Sequence, residues 1–112
     1  MRGNHKAFIN HKTRTCVVHQ RQQDMAKELK IGILQQHNVA DRDDNMRRLA
    51  DGITSLAQRG AELIVLQELH NSLYFCQVES VDNFDLAEPV PGPSTDFYGQ
   101  LAKQLNVVIV TS

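Results

Sequence analysis

A carboxylate and a thiol stand close together near the middle of the chain, in the stretch AELIVLQELHNSLYFCQ (61–77). Glu68 follows an apolar run, and Cys76 comes eight residues later. A carboxylate can act as a general base, and a thiol that such a base deprotonates is a nucleophile. The pair therefore raises the hypothesis of acyl-transfer chemistry. The alternative is that Cys76 is a small apolar residue that packs in a loop.

Glu68 is better placed for a functional role than the nearby Glu62. The run ELIVLQ (62–67) predicts a short strand, with Glu62 at its start and Glu68 just after its end. Ligands bind beyond the carboxyl ends of the strands in an open parallel sheet, and Glu62 lies roughly 20 Å from that edge. We expect Glu68 to be partly desolvated there, which suits a general base. The alternative is a structural carboxylate at a strand end.

A strand, a helix and a second strand are predicted between residues 29 and 67. The segment LKIGILQQ (29–36) has the apolar pattern of a strand. Asp41 then suits a helix N-cap, and Gly60 suits a left-handed helix end. This order predicts a right-handed βαβ unit with parallel strands. The buried helix stripe is predicted from its three- and four-residue spacing to contain Met46, Leu49, Ala50, Ile53, Leu56 and Ala57.

A long loop, a second helix and a third strand are predicted after Glu68. The loop from 68 to about 88 is long enough to be a candidate functional loop. Ser94 or Thr95 can cap the helix, and VVIVT (107–111) is the third strand. Strands this apolar should be covered on both faces, so we interpret residues 29–112 as the N-terminal part of a larger α/β domain. The stripe of the second helix is predicted to contain Phe97, Leu101, Ala102 and Leu105.

Charge divides the chain into two parts. Residues 1–28 carry six Lys or Arg and two acidic residues. Residues 29–112 carry six Lys or Arg and eleven acidic residues. The first part is polar and lacks periodicity, which predicts a flexible extension, with a transit peptide as the alternative. Basic residues confined to such an arm do not form the basic folded face of a nucleic-acid-binding domain. No glycine loop admits a phosphate after the first predicted strand.

The cysteines and histidines predict neither a disulfide nor a metal site. Cys16 and Cys76 form no disulfide framework, which is typical of a reducing compartment such as the cytoplasm. No apolar run reaches membrane-spanning length, so no membrane association is expected. The alternative of a zinc site on His5, His11, Cys16 and His19 lacks the compact paired spacing that zinc sites usually show.

Three segments resemble the carbon–nitrogen hydrolase (nitrilase) superfamily: LKIGILQQ, GAELIVLQELHNSLYFCQ and VPGPSTDFYGQLAKQLNVVIVTS. The resemblance extends from about Leu29 to Ser112, and LQELHNSLYFCQ is its most specific part. Much of the superfamily has Pro before the glutamate. Gln67 stands there in this chain, as in the members that act on N-carbamoylputrescine. The resemblance implies the start of an α-β-β-α sandwich, cut after its third strand.

The resemblance also implies a Glu-Lys-Cys catalytic set, in which Glu68 matches the glutamate. The lysine and the nucleophilic cysteine would follow Ser112, and neither Lys103 nor Cys76 matches them. The set needs no metal or cofactor. Hydrolysis of a non-peptide C–N bond is implied, with N-carbamoylputrescine giving putrescine, ammonia and carbon dioxide. The alternatives are N-carbamoyl-β-alanine or an ω-amide as substrate, or an inactive fragment or interaction piece.

Residues just after Glu68 are candidates for binding the substrate. Asn71, Tyr74 and Phe75 are expected at the same rim, with loop packing as the alternative. An acidic run could attract a cationic amine, although a solvated loop is the simpler interpretation; it comprises Asp82, Asp85 and Glu88. The expected partner is thus a small carbamoylated amine, and the resemblance implies a homo-oligomer for the full-length protein.

Overall fold

The computed structural model describes residues 6–10, 15–20, 28–77 and 79–112, and it describes side chains from residue 28 onward. Five strands and two α-helices are present in the described ranges. Their order is β1 (Lys6–Asn10), β2 (Thr15–Gln20), β3 (Leu29–Leu34), α1 (Arg42–Gln58), β4 (Leu63–Leu66), a 3-10 helix (Val81–Leu86), α2 (Pro93–Leu105) and β5 (Val108–Val110).

The strands form one sheet in the order β1-β2-β3-β4-β5. Strands β3, β4 and β5 are parallel, with Ile33 opposite Val65 and Val65 opposite Val110. Each of these strands is joined to the next through one α-helix, α1 and then α2. The predicted α/β class and its parallel βαβ order are therefore confirmed.

The core lies between one face of the sheet and the two helices. Leu34 and Ile64 point from the sheet toward Leu49, Ile53 and Leu56 of α1, and all five side chains are fully buried. These helix positions recur at the spacing that places them on a single face. The predicted stripe of α1 is confirmed for five of its six residues, since Met46 and Ala57 pack against this core and Ala50 does not.

The ends of α1 follow local sequence signals. Asp41 caps the first turn, because its carboxylate accepts a hydrogen bond of 3.0 Å from the Asp44 backbone N–H. Gly60 has a φ of 91°, which a residue with a Cβ rarely adopts. The chain can therefore leave the helix at Gly60 and enter β4 within three residues.

Helix α2 differs from the sequence prediction at its start and on its buried face. Neither Ser94 nor Thr95 is the N-cap, because the helix begins at Pro93 after Gly92. Proline suits this first helical position because its missing N–H would have had no partner in the helix. Tyr98 is the buried aromatic residue, while the predicted stripe member Phe97 is 37% exposed.

Strands β1 and β2 lie in the part of the chain for which the sequence predicts a flexible extension. They pair antiparallel with each other, and β2 pairs antiparallel with β3, from Thr15 opposite Leu34 to Gln20 opposite Leu29. The sequence analysis predicts neither strand, since polar residues interrupt their apolar pattern. The flexibility of residues 1–28 and the domain boundary near residue 29 stay predictions.

The second face of the parallel strands has no covering layer among the described residues. Alternation along each strand places six apolar residues on this face. Ile33, Val108 and Val110 are 39%, 59% and 44% exposed. The helices cover one face of these strands, and cover on the second face, which is expected for a larger α/β domain, stays a prediction. We call this surface the open sheet face; it comprises Ile31, Ile33, Leu63, Val65, Val108 and Val110.

Candidate functional site

Glu68 lies two residues beyond the carboxyl end of β4, between the parallel strands β3 and β5. It begins a turn that continues through Asn71, and its side chain is exposed. The predicted place of Glu68 is thus confirmed, whereas the predicted partial desolvation is wrong in this chain. Glu62 lies at the opposite end of β4, where its carboxylate accepts a hydrogen bond of 3.3 Å from the backbone N–H of Lys30.

Two buried asparagines bind the backbone of the turn that follows Glu68. The Asn38 side-chain amide donates to the carbonyl oxygens of Leu69 (3.0 Å) and Ser72 (2.6 Å). The Asn45 side-chain amide donates to the carbonyl oxygen of Asn71 at 3.1 Å. Three carbonyl groups within four residues are therefore held by side chains, one from the segment between β3 and α1 (Asn38) and one from the first turns of α1 (Asn45).

The predicted substrate-binding residue Asn71 connects this turn to α2. Its side-chain amide donates to the Ser94 hydroxyl at 2.7 Å, and its side-chain oxygen accepts a hydrogen bond from the Tyr98 hydroxyl. Burial raises the pKa of Tyr98, so this hydroxyl stays a donor at neutral pH. Both the nitrogen and the oxygen of the Asn71 side-chain amide thus have hydrogen-bond partners within the protein.

The acidic residue Glu88 is occupied by the start of α2 and by a cation. Its carboxylate accepts hydrogen bonds from the Ser94 backbone N–H (2.8 Å) and hydroxyl (2.9 Å), and it forms an ion pair with Arg42. A carboxylate at this end of a helix also interacts favourably with the helix dipole. Within the predicted acidic run, exposed Asp82 and Asp85 remain the better candidates for attracting a cationic amine.

Tyr74, Phe75 and Cys76 are neighbours in sequence that differ in their surroundings. Tyr74 is 58% exposed. A hydrogen bond with the Cys76 thiol, and then the charge of Cys76, raise the pKa of Tyr74, with a smaller contribution from Glu68. Cys76 is a free and exposed cysteine, whereas Phe75 is half-buried. The structure therefore brings Tyr74 close to Cys76 and within electrostatic range of Glu68.

His70 is a buried polar residue that the sequence analysis does not single out. It is 5% exposed, and neither ring nitrogen has a hydrogen-bond partner among the described residues. Its ring contacts the Tyr98 ring edge-to-face at a centroid distance of 5.2 Å. Burial, and then the charge of Arg42, lower the pKa of His70 below its ordinary value of 6.5. The neutral imidazole is the form that this environment favours.

A groove of about 1080 Å³ runs between the loop after β4, the 3-10 helix and α2. Asn71 and Phe75 line it, as predicted for a rim beside the turn, and exposed Asp85 also reaches it. Of the described residues predicted for the site, Glu68, Tyr74 and Asp82 do not line the groove. The candidate residues around this turn thus form two groups, those that line the groove and those that lie outside it.

Metal coordination and membrane insertion find no support in the part of the chain that is described. Residues 28–77 and 79–112 contain no group of three or more His, Cys, Asp or Glu side chains arranged to hold a metal ion. The alternative zinc site lies outside this description, since His5 and His11 are not among the described residues and the side chains of Cys16 and His19 are not described. No helix in the described ranges has the length and apolar character needed to cross a membrane.

Comparison with known proteins identifies the family. The model of the carbon-nitrogen hydrolase family matches residues 30–112, which is most of the chain. The chain belongs to the carbon-nitrogen hydrolase family. The match begins in β3 and includes α1, β4, the turn with Glu68, α2 and β5, so the resemblance inferred from the sequence is confirmed.

Individual carbon-nitrogen hydrolases agree with this assignment. The chain is 31% identical to a citrullinase of Francisella tularensis over 85 residues, covering 75% of this chain and 30% of the relative. It is 46% identical to an N-carbamoylputrescine amidase of Solanum lycopersicum over 56 residues, covering 49% of this chain and 19% of the relative. The crystal structure of a carbon-nitrogen hydrolase from Helicobacter pylori G27 superposes with a TM-score of 0.69 at 30% identity, covering 75% of this chain and 29% of that one. The chain thus spans less than a third of the length of these relatives.

Sequence reasoning misses the two asparagines and the histidine of this site. Asn38 and Asn45 are polar residues in or beside a predicted helix start, where asparagine is common for local reasons. Only their burial, at 8% and 0% exposure, distinguishes them as side chains that bind the backbone of the distant turn. His70 offers no signal in sequence, because its isolation from partners is a property of the packed structure.

Proposed function

We propose that this chain is the part of a carbon-nitrogen hydrolase that supplies the general base, Glu68, for hydrolysis of a carbamoylated amine. N-carbamoylputrescine is the proposed substrate, and putrescine, ammonia and carbon dioxide are the products. The observation that carries the proposal is the place of Glu68, on a backbone-anchored turn directly after the middle parallel strand. We further propose that the protein acts in the cytoplasm as a homo-oligomer.

The proposed mechanism follows from the chemistry of a carboxylate and a thiol. Glu68 accepts the proton of a nucleophilic cysteine, and the resulting thiolate attacks the carbonyl carbon of the substrate. A lysine stabilises the oxyanion of the tetrahedral intermediate. One C–N bond then breaks, the proton passes from Glu68 to the leaving nitrogen, and a thiocarbamate remains on the cysteine. Water hydrolyses this thiocarbamate to a carbamic acid, which loses carbon dioxide and releases the second nitrogen, so that ammonia and putrescine are both formed. The lysine and the nucleophile are proposed to come from residues outside these 112.

The substrate class is supported by the names of two relatives. The names of a citrullinase and an N-carbamoylputrescine amidase point to citrulline and N-carbamoylputrescine, two compounds that both end in a carbamoyl-amino group. Exposed Tyr74 and half-buried Phe75 are proposed to form a wall of the substrate pocket, and Asn71 is proposed to position that wall. An ω-amide or N-carbamoyl-β-alanine is the alternative substrate within the same reaction type.

The proposed base is tested by exchanging one carboxylate at each end of β4. Glu68→Gln in an active polypeptide that contains this segment should lower kcat/KM by at least about a hundredfold, because general-base catalysis contributes on this order. Glu62→Gln is the matched control, because it alters the same strand at the end remote from the turn and keeps an acceptor for the Lys30 N–H. Its kcat/KM should stay within about threefold of the wild type.

Ammonia release is the measurement, with N-carbamoylputrescine, citrulline, N-carbamoyl-β-alanine and a simple ω-amide compared at equal concentration. Near-wild-type activity of Glu68→Gln would refute the general-base role. A preference for the ω-amide would retain the reaction type and replace the proposed substrate.

The second candidate function is that of an inactive fragment. Cys76 is the exposed thiol nearest in sequence to Glu68, but the family resemblance assigns the nucleophile elsewhere. The 112-residue chain alone should therefore release no ammonia from any of the four compounds. Release that disappears in Cys76→Ser would instead make Cys76 the nucleophile.

A further inference from the structure

We infer that Asn38 is a positioning residue that holds Glu68 in place by binding the backbone turn after it. The inference rests on the proposed function, because it assigns a role to Asn38 in presenting the proposed base. The geometry that supports it is a pair of hydrogen bonds from one side-chain amide to the carbonyl oxygens of Leu69 and Ser72.

The hydrogen bonds of Asn38 are complete and buried. Its side-chain amide donates at 3.0 Å and 2.6 Å, and its side-chain oxygen accepts from the Gln36 side-chain amide at 2.8 Å. With 8% exposure, Asn38 has little access to water that could replace these partners. Loss of the donor would remove one hydrogen bond from each of two carbonyl groups, leaving the Leu69 carbonyl with the Ser72 N–H as its remaining donor, and a group that loses its hydrogen bond destabilises the conformation it belonged to. The turn therefore depends on this side chain for its conformation.

The backbone directly after Glu68 needs such support. Leu69 has a φ of 52°, in the left-handed region that residues with a Cβ rarely adopt. Conformations of this kind persist only where surrounding contacts fix them, and they concentrate at functional sites. The Leu69 carbonyl accepts from both the Asn38 side chain and the Ser72 N–H (3.3 Å). Asn38 thus holds the backbone of the residue that directly follows Glu68.

The residue directly before Glu68 is anchored through its side chain to the same neighbouring segment. The Gln67 side-chain oxygen accepts a hydrogen bond of 2.7 Å from the Gln36 backbone N–H. Asn45 adds a third anchor through the Asn71 carbonyl. Glu68 is therefore an exposed side chain on a backbone that is held on both sides. This combination of a fixed backbone and an accessible carboxylate is what a pre-positioned base requires.

The first experiment measures the turn itself in the 112-residue chain, without any assay of activity. Hydrogen exchange of the Ser72 amide should be at least tenfold faster in Asn38→Ala than in the wild type, whereas amides at the centre of α1 should change by less than threefold. Gln35→Ala is the matched control, because Gln35 is an exposed amide side chain in the same segment. An unchanged Ser72 exchange rate in folded Asn38→Ala would overturn the inference.

A milder variant covers the case in which Asn38→Ala does not fold. Asn38→Ser keeps a short donor that can bind at most one of the two carbonyl groups. Its Ser72 exchange rate should lie above the wild-type rate, and a rate equal to that of the wild type would overturn the inference in the same way.

The second experiment measures kcat and KM separately in an active polypeptide that carries this segment. Asn38→Ala should lower kcat by at least tenfold per active site, counted by stoichiometric labelling of the nucleophilic thiol, with KM within threefold. A purely structural role would lower the number of labelled sites and leave kcat per site unchanged.

The outcomes separate this inference from the proposed function. Inactive Glu68→Gln combined with normal kcat per site in Asn38→Ala would refute positioning and retain the base. Activity of Glu68→Gln would refute the general-base role of Glu68. It would also refute a positioning role of Asn38 in catalysis. Loss of kcat in both variants, with wild-type values for Gln35→Ala, is the result expected.

Discussion

Residues around the turn after β4 divide into satisfied and unsatisfied polar groups. Asn38, Asn45 and Asn71 all use their side-chain amides as donors, and Glu88 is bound by Arg42 and Ser94. His70 differs from them because both of its ring nitrogens are buried without a partner among the described residues. Buried polar groups without hydrogen bonds destabilise a fold by about 1–3 kcal/mol. His70 is therefore the residue in this region at which stability should depend on pH.

Stability should decrease as the pH falls below about 6.5, because burial lowers the pKa of His70 in the folded chain. The unfolded chain then binds a proton that the folded chain does not, so protonation favours unfolding down to the lowered folded-state pKa. His70→Phe keeps the aromatic contact with Tyr98 and removes the titrating ring. Its free energy of unfolding should change less between pH 7.5 and pH 5.5 than that of the wild type, as measured by urea denaturation.

His37→Gln is the control for this titration, because the His37 side chain is exposed. This variant should lose as much stability on acidification as the wild type does. If His70→Phe and the wild type showed the same pH dependence, the proposed origin of the acid sensitivity would be wrong.

At the scale of elements, two helical glycines have opposite surroundings. Gly52 of α1 is buried against β3, and a Cβ added to it would lie 2.8 Å from two methyl carbons of Leu34. Gly99 of α2 is exposed, and an added Cβ would meet nothing within 4 Å. Helix propensity alone favours alanine over glycine at both positions, by about 1 kcal/mol. Packing should therefore decide the sign of each substitution.

Gly52→Ala should destabilise the chain by about 1–3 kcal/mol, because overpacking a core outweighs the gain in helix propensity. Gly99→Ala should stabilise it by about 0.5–1 kcal/mol, since only the helix propensity and the unfolded-state entropy change. Urea denaturation of both variants beside the wild type measures the two values. Equal effects of the two substitutions would show that α1 does not contact β3 as closely as described.

Element prediction succeeded where periodicity was strong and failed where contacts between elements decided the outcome. The stripe of α1 and the apolar runs of β3 and β4 were sufficient to predict their type and order. The start of α2 was not predicted, because Glu88 and Arg42 hold Ser94 from outside the helix. Strands β1 and β2 were missed because pairing defines them, β1 with β2 and β2 with β3, and not an apolar pattern of their own.

The open sheet face is the main surface feature at the scale of the whole molecule. It presents apolar residues from three parallel strands, and β5 is one of the two edge strands of the described sheet. Exposed apolar patches and unpaired strand edges both favour association with other chains. Its net charge of −1 gives the chain little electrostatic repulsion against such association.

The 112-residue chain should therefore self-associate as its concentration rises, and charges on the open sheet face should prevent this. Val108→Lys combined with Val110→Lys places two exposed lysines on the edge strand. The sedimentation coefficient should increase with concentration for the wild type and stay constant for this double variant. Sedimentation velocity over a hundredfold range of concentration is the measurement.

Val81→Lys is the matched control, because Val81 is 77% exposed but lies on the 3-10 helix, away from the sheet. Suppression of self-association by Val81→Lys, with no effect of the β5 variant, would assign the association to the 3-10 helix instead.

The sequence by itself determined the order of the elements from β3 to β5, the buried stripe of α1, and the place of Glu68 at the carboxyl end of β4. These features are local, because periodicity and strand polarity are properties of neighbouring residues. The tertiary structure alone decided which side chains hold Glu68. Asn38 and Asn45 reach carbonyl groups 26 to 34 residues away, and no local pattern specifies partners at that separation. Exposure of Glu68 and isolation of His70 were decided in the same way, by how the packed elements surround each side chain.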